Sequence, residues 1–185
     1  RSISQHFRTE TSSSHICPAH CPATTDPPPL YAYLNGRYFR NQRTVGSLHK
    51  AIDYFHQATD IDPTYALAYT GIADAYSSLG FHGYGALPPD EAMPQAKAAA
   101  SKAAQLDPSL PEAQVSLAFL VNNYDWNLPE AEVQYRRAIA LNTSYPTAHQ
   151  WLAFTLAEQQ KYDDAILEIK KAQSLDPLSL CISTN

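Results

Sequence analysis

The chain holds few of the residues that staple small domains together: three cysteines in 185 residues, at Cys17, Cys21 and Cys181. An odd count without regular spacing excludes a disulfide framework and favours a reducing compartment, so the expected location is cytoplasmic. Glycine is scarce too, with six residues. The sequence contains no Gly-rich phosphate loop, no Gly-x-Ser-x-Gly elbow and no Asp-x-Asp-x-Asp-Gly calcium loop. No apolar run approaches the roughly 18 residues needed to span a bilayer, so no membrane partner is expected. Positive charge is not in excess, because 13 Lys and Arg face 18 Asp and Glu, a formal net charge of -5. The basic residues are scattered apart from Arg37, Arg40 and Arg43. That balance argues against direct nucleic-acid binding, which needs a basic face to displace counterions. The first residue is Arg, not Met, so the chain reads as a fragment or a processed product.

One cluster carries metal-ligand atoms: His15, Cys17, His20 and Cys21. Four soft or borderline ligands this close can hold zinc, but their spacing is irregular, Pro18 and Pro22 restrict the turn, and no second pair follows. The alternative reading is an unstructured leader, and no metal or cofactor is expected. Asp60-x-Asp62 resembles an acidic metal pair, yet it recurs as a segment-ending signature and reads as structural. His56, His82 and His149 have no nucleophile beside them in sequence. These features together predict a protein that is not an enzyme.

Residues 1–29 contain five of the 14 prolines and a Thr/Ser run from Thr11 to Ser14, without helical periodicity. They read as an irregular leader. From Leu30 onward Ala, Leu, Tyr and charged residues recur at helix spacing, which predicts an all-α remainder, 30–185. The ends of a repeat are visible at Asp62-Pro63, Asp107-Pro108, Asn142-Thr143 and Asp176-Pro177, giving periods of 45, 35 and 34. A 34-residue period is that of helix–turn–helix arrays. Proline cannot continue a helix, so it ends each unit, and Thr143 predicts a less abrupt stop. Twelve residues before each stop stand Ala51, Ala96, Ala131 and Ala165; five before stand Ala58, Ala103, Ala138 and Ala172. Small side chains at these positions allow helices to approach to 8–10 Å. Eight before each stop stand Phe55, Ala100, Tyr135 and Ile169, three of which can fill a core. Gly80 is expected to cap a helix, Asn127 to Glu130 to form a capping box, and Tyr76, Tyr135, Trp151 and Tyr162 to pack between helices.

The small residue of each first helix (Gly36, Ala73, Ala118, Ala153), the paired alanines and the closing proline resemble tetratricopeptide repeats over roughly residues 24–185. The resemblance implies a right-handed α-solenoid of about four units, approximately 30–65, 66–110, 111–145 and 146–179. A further helix is expected to start at 180–185. The strings Leu34 to Phe39, Tyr124-Asp125-Trp126 and Thr147 to Trp151 are similar to the repeats of bacterial multidomain regulators. There such arrays follow winged-helix, protein-kinase or nucleotide-cyclase domains, none of which is present in this sequence.

The resemblance also implies a concave groove lined by first helices. Its positions correspond to Tyr33, Arg37, Arg40 and Asn41 in unit one and to Thr70, Asp74, Ser77 and Ser78 in unit two. They correspond to Val115, Phe119, Asn122 and Asn123 in unit three, and to Gln150, Phe154, Ala157 and Glu158 in unit four. Phe119 and Phe154 are expected to be anchors, with Asn122, Asn123 and Gln150 bonding a partner's backbone. The expected function is a non-catalytic protein–protein interaction module for a peptide or partner domain, within a larger bacterial signalling protein and with possible self-association. The alternative is a regulatory domain sensing a small ligand. In that reading the insert 81–91, whose glycines and prolines rule out an ordinary helix, would be a lid.

Overall fold

The computed structural model describes residues 28–81 and 86–178. The His15 to Cys21 cluster and the expected helix at 180–185 lie outside the described residues, as does the leader up to residue 27. Among those described there are eight α-helices and no strand: α1 (Pro29–Asn41), α2 (Val45–Ile61), α3 (Ala66–Gly80), α4 (Pro89–Leu106), α5 (Pro111–Asn123), α6 (Leu128–Leu141), α7 (Pro146–Glu158) and α8 (Tyr162–Leu175). They form antiparallel pairs that stack into a right-handed α-solenoid, as the sequence predicts. No described helix is long and apolar enough to cross a membrane.

Helix starts follow from proline and from caps. Proline occupies the first or second position of α1, α4, α5, α6 and α7, where its missing N–H leaves nothing unpaired and its φ suits a helix. Thr44 opens α2 through a reciprocal box with Ser47, which the sequence reading missed because serine replaces the usual Glu or Gln. The box expected at Asn127 is half made. Asn127 Oδ1 accepts from the Glu130 N–H at 3.3 Å, but the Glu130 carboxylate accepts from Gln134 at 2.8 Å.

Helix ends depend less on proline than the sequence suggested. α6 stops at Leu141, two residues before Thr143, just as α2 stops two before Pro63 and α4 two before Pro108. The common element is an Asp or Asn at the C-cap. The Asp62, Asp107 and Asn142 side chains accept the N–H of Thr64, Ser109 and Ser144 at 2.9, 2.9 and 3.0 Å. This closes a turn that replaces the helical continuation. Thr143 therefore does not soften the stop. Its carbonyl lies 3.1 Å from His149 Nε2, and the Pro63 carbonyl accepts similarly from Tyr69 Oη at 3.3 Å.

The alanine stripe is the interface between helices. Ala51, Ala58, Ala96, Ala103, Ala131, Ala138 and Ala172 have no exposed surface, and Ala165 retains 7%. Phe55 and Tyr135 are fully buried large fillers at equivalent positions. Phe55 occupies a slot made by two glycines: a Cβ at Gly36 or at Gly71 would fall 2.5 Å from its ring. Gly80 also serves close approach rather than capping, since its Cβ would meet the Ala92 Cβ at 2.7 Å. α3 ends there on Phe81 in an extended conformation.

The insert is partly helix, contrary to expectation. Pro89 starts α4, so residues 89–91 add its first turn, with Asp90 and Glu91 favourably placed at the positive end of the helix dipole. Ala86 and Leu87 pack against Leu48, Ile52, Ala75 and Leu79, and the Leu87 N–H donates to the Leu79 carbonyl at 3.2 Å. Tyr162 also departs from the core assignment, being 61% exposed. It lies on the face of α8 that corresponds to Leu48 and Ile52 of α2, and no described helix covers it as α3 covers those two.

Mid-helix Gly→Ala usually stabilises by about 1 kcal/mol. At Gly36 and Gly71 the clash with the immobile Phe55 ring should reverse the sign, costing about 1–3 kcal/mol. Gly46, with no atom within 4 Å of a built Cβ, is the control and should gain stability as Ala. Urea melts of the three variants check this, and stabilisation at all three sites would contradict the packing of Phe55.

Candidate functional site

The first helices of the four pairs line a hollow of about 720 Å³. Helix-pair stacking produces it, because each second helix buries its stripe against its neighbours and leaves the first helices facing inward. Twelve of the residues expected in the groove lie on this wall. They are Tyr33, Arg37, Arg40 and Asn41 on α1; Thr70, Asp74, Ser77 and Ser78 on α3; Val115 and Phe119 on α5; and Gln150 and Phe154 on α7. Thr70, Ser77, Val115 and Gln150 are nonetheless largely buried.

Asn122, Asn123 and Glu158 do not line the hollow. Asn122 Nδ2 donates to Glu158 at 2.9 Å and its Oδ1 accepts from Thr155 at 3.0 Å, tying α5 to α7. Asn123 donates to the Phe119 carbonyl at 2.9 Å, and Ala157 packs at the edge of the core around Tyr135. Asn122, buried and bonded within the chain through both its nitrogen and its oxygen, is therefore not placed to bond a partner's backbone as expected, and the Asn123 nitrogen is engaged within its own helix.

Residues that the sequence reading did not place in the groove also face it: Phe81, Glu112, Ser116, Tyr145, Trp151 and Asp176. Helical spacing could have found two of them, since Glu112, Val115, Ser116 and Phe119 recur at the three- and four-residue steps of one helix face. Trp151, assigned to the core, does pack against it but also forms the centre of an aromatic wall. Its ring meets Phe119 edge-on at 4.9 Å and Phe154 at 5.5 Å. Such tilted pairs place a positive ring edge on a negative ring face.

One ion pair ties charges of the hollow together. Arg40 donates to Asp74 Oδ2 at 2.7 Å and Ser116 donates to Asp74 Oδ1 at 2.8 Å, so one carboxylate links α1, α3 and α5. Arg37 lies over the Tyr33 ring at 5.9 Å. Burial pushes the Tyr33 phenol up, opposed by the Arg37 charge. Tyr145 is pushed up further by burial, with the Asp74 and Glu112 carboxylates adding to the effect. Both phenols stay protonated near neutral pH. The Thr70, Ser78 and Ser116 hydroxyls donate within the chain, so the wall presents one aromatic platform beside polar side chains that are largely engaged.

These helix pairs define the tetratricopeptide-repeat fold. The chain superposes on the TPR protein TTC0263 of Thermus thermophilus with a TM-score of 0.68 and 18% identity, over 84% of this chain and 78% of that one. It superposes on MamA with a TM-score of 0.53 and 23% identity, over 80% and 73% of the two chains. In sequence it is 26% identical over 145 residues to the transcriptional regulator HilA of Salmonella typhimurium, covering 78% of this chain. The match spans only 26% of the length of that relative. No family model matches the chain.

The Arg40–Asp74 pair is about one-third exposed on both sides, so its coupling should be small, about 0.2–1 kcal/mol in a double-mutant cycle. Asp74→Ala should cost more than Arg40→Ala, because it also strips Ser116 of its acceptor. Equal costs in chemical denaturation would show that the Ser116 link contributes nothing.

Proposed function

We propose that this chain is a non-catalytic interaction module that holds a segment of a partner protein in the hollow formed by its first helices. It acts as a regulatory part of a larger bacterial signalling protein. The observation that carries this reading is the aromatic wall. Phe119, Trp151 and Phe154 stay only partly buried, and a partner's apolar side chain would complete their burial. The polar side chains that share the hollow with them favour an extended or helical peptide over a purely apolar ligand. Likeness to the tetratricopeptide fold supports a scaffold, and likeness to a transcriptional regulator supports a regulatory parent. The packing of Ala86 and Leu87 favours a spacer over a lid, and with it the interaction reading over small-ligand sensing.

Phe119→Ala combined with Phe154→Ala should abolish partner capture while leaving the helical spectrum intact. Truncating a central anchor commonly costs about 2 kcal/mol or more, roughly a thirtyfold loss of affinity. Affinity capture with the whole array as bait, followed by circular dichroism of the same variant, tests this. Undiminished capture of a verified partner by the double variant would remove the hollow from the functional account.

A further inference from the structure

We infer that this chain associates head to tail with copies of itself, the outer face of α1 in one copy seating on the open face of α8 in another. The joint between successive helix pairs carries this inference, because the chain builds that joint internally and presents its two halves on α1 and α8. It does not depend on what the hollow holds. Where α3 meets α2, Gly71 presses on the Phe55 ring, and Ala75 packs with Leu48 and Ile52. Gly36 of α1 aligns with Ala73 of α3, so Leu34 and Tyr38 are the counterparts of Gly71 and Ala75. Leu34 is 50% exposed and Tyr38 63%. In the later first helices the counterparts of Tyr38, namely Ala75, Leu120 and Thr155, have almost no exposed surface. Tyr31 lies on the same face of α1 and is 60% exposed, whereas its counterpart Ala68 is fully buried.

The complement stands on α8. Ala165 aligns with Ala51 of α2, so Tyr162, Ile166 and Ile169 are the counterparts of Leu48, Ile52 and Phe55. Leu48 and Ile52 are buried under α3, but Tyr162 and Ile166 are 61% and 49% exposed. In the same register, α1 of a second copy sets Leu34 against Ile169 and Tyr38 against Tyr162 and Ile166. The joint accepts such bulk: Tyr135 and Trp151 pack together between α6 and α7 at the places of Phe55 and Gly71. Repeat units bury their apolar faces only against neighbouring units, and a second copy supplies that neighbour. The two faces differ, so the contact is heterologous and leaves a free face at each end for further copies.

Sedimentation velocity of the full chain over rising concentration tests this. The wild-type chain should pass from monomer through dimer to longer species. Leu34→Lys spoils the α1 face and Ile166→Lys the α8 face, both at exposed helical sites where Lys suits the backbone. Each variant alone should lose association, because one half of the joint is missing. Mixed, the two should form a one-to-one dimer and nothing larger, since the intact α8 of one takes the intact α1 of the other. A second pair, Tyr38→Lys with Tyr162→Lys, repeats the test, and circular dichroism checks that every variant keeps its helical spectrum. A wild-type chain that stays monomeric overturns the inference and points to cover from within the same chain. Association that survives in either variant alone, or a mixture that fails to dimerise, overturns the head-to-tail pairing.

Discussion

The close approach of helices through alanine and glycine is the constraint on which the rest of this molecule depends. A helix pair separated by a methyl group, or by none, has almost no freedom of register, because the large side chains beside the contact must fit fixed gaps. Phe55 shows this most clearly. Gly36 of its own pair and Gly71 of the next each press on its ring. One buried aromatic thereby sets the relative position of α1, α2 and α3. Tyr135 occupies the equivalent place further along and is equally buried. Each such contact fixes a first helix against its neighbour, and the sum of these contacts determines the shape of the inner wall.

That wall is held by a second, polar set of links. Arg40, Asp74 and Ser116 join three first helices in sequence, and Asn122, Thr155 and Glu158 join α5 to α7. Hydrophobic burial alone would leave the first helices free to slide slightly, since apolar contact has no direction. Hydrogen bonds of this kind do have direction. They consume two of the charges on the wall, those of Arg40 and Asp74. The aromatic wall of Phe119, Trp151 and Phe154 remains only partly buried. The binding character of the hollow is thus set partly by what the fold has already used.

Most of the architecture was legible in the residues. The alanines at twelve and five before each stop, and the Asp or Asn before it, repeat because each unit solves the same packing problem. The groove positions came from the resemblance to the repeat family rather than from periodicity, and twelve of them line the hollow. The errors have physical causes. Proline looked like the stop at the unit ends, but the Asx side chain makes the turn, so Asn142-Thr143 ends α6 in the same register. Glycine looked like a cap at Gly80, but the helix needs the missing Cβ rather than a left-handed φ.

The sequence by itself determined the helices, their pairing and the faces they bury, because those follow from local propensity and from a repeat that each unit carries complete. Only the tertiary structure decided which polar groups of the inner wall remain open. Whether Asn122 faces a ligand or Glu158, and whether Asp74 is free or shared by Arg40 and Ser116, depends on residues 34 to 42 positions away. Those are brought within 3 Å by the stacking of separate pairs. A periodicity argument names the face a side chain occupies but contains no term for the distance to a neighbouring unit. That distance, set by the alanine and glycine contacts, decides which side chains are already bonded.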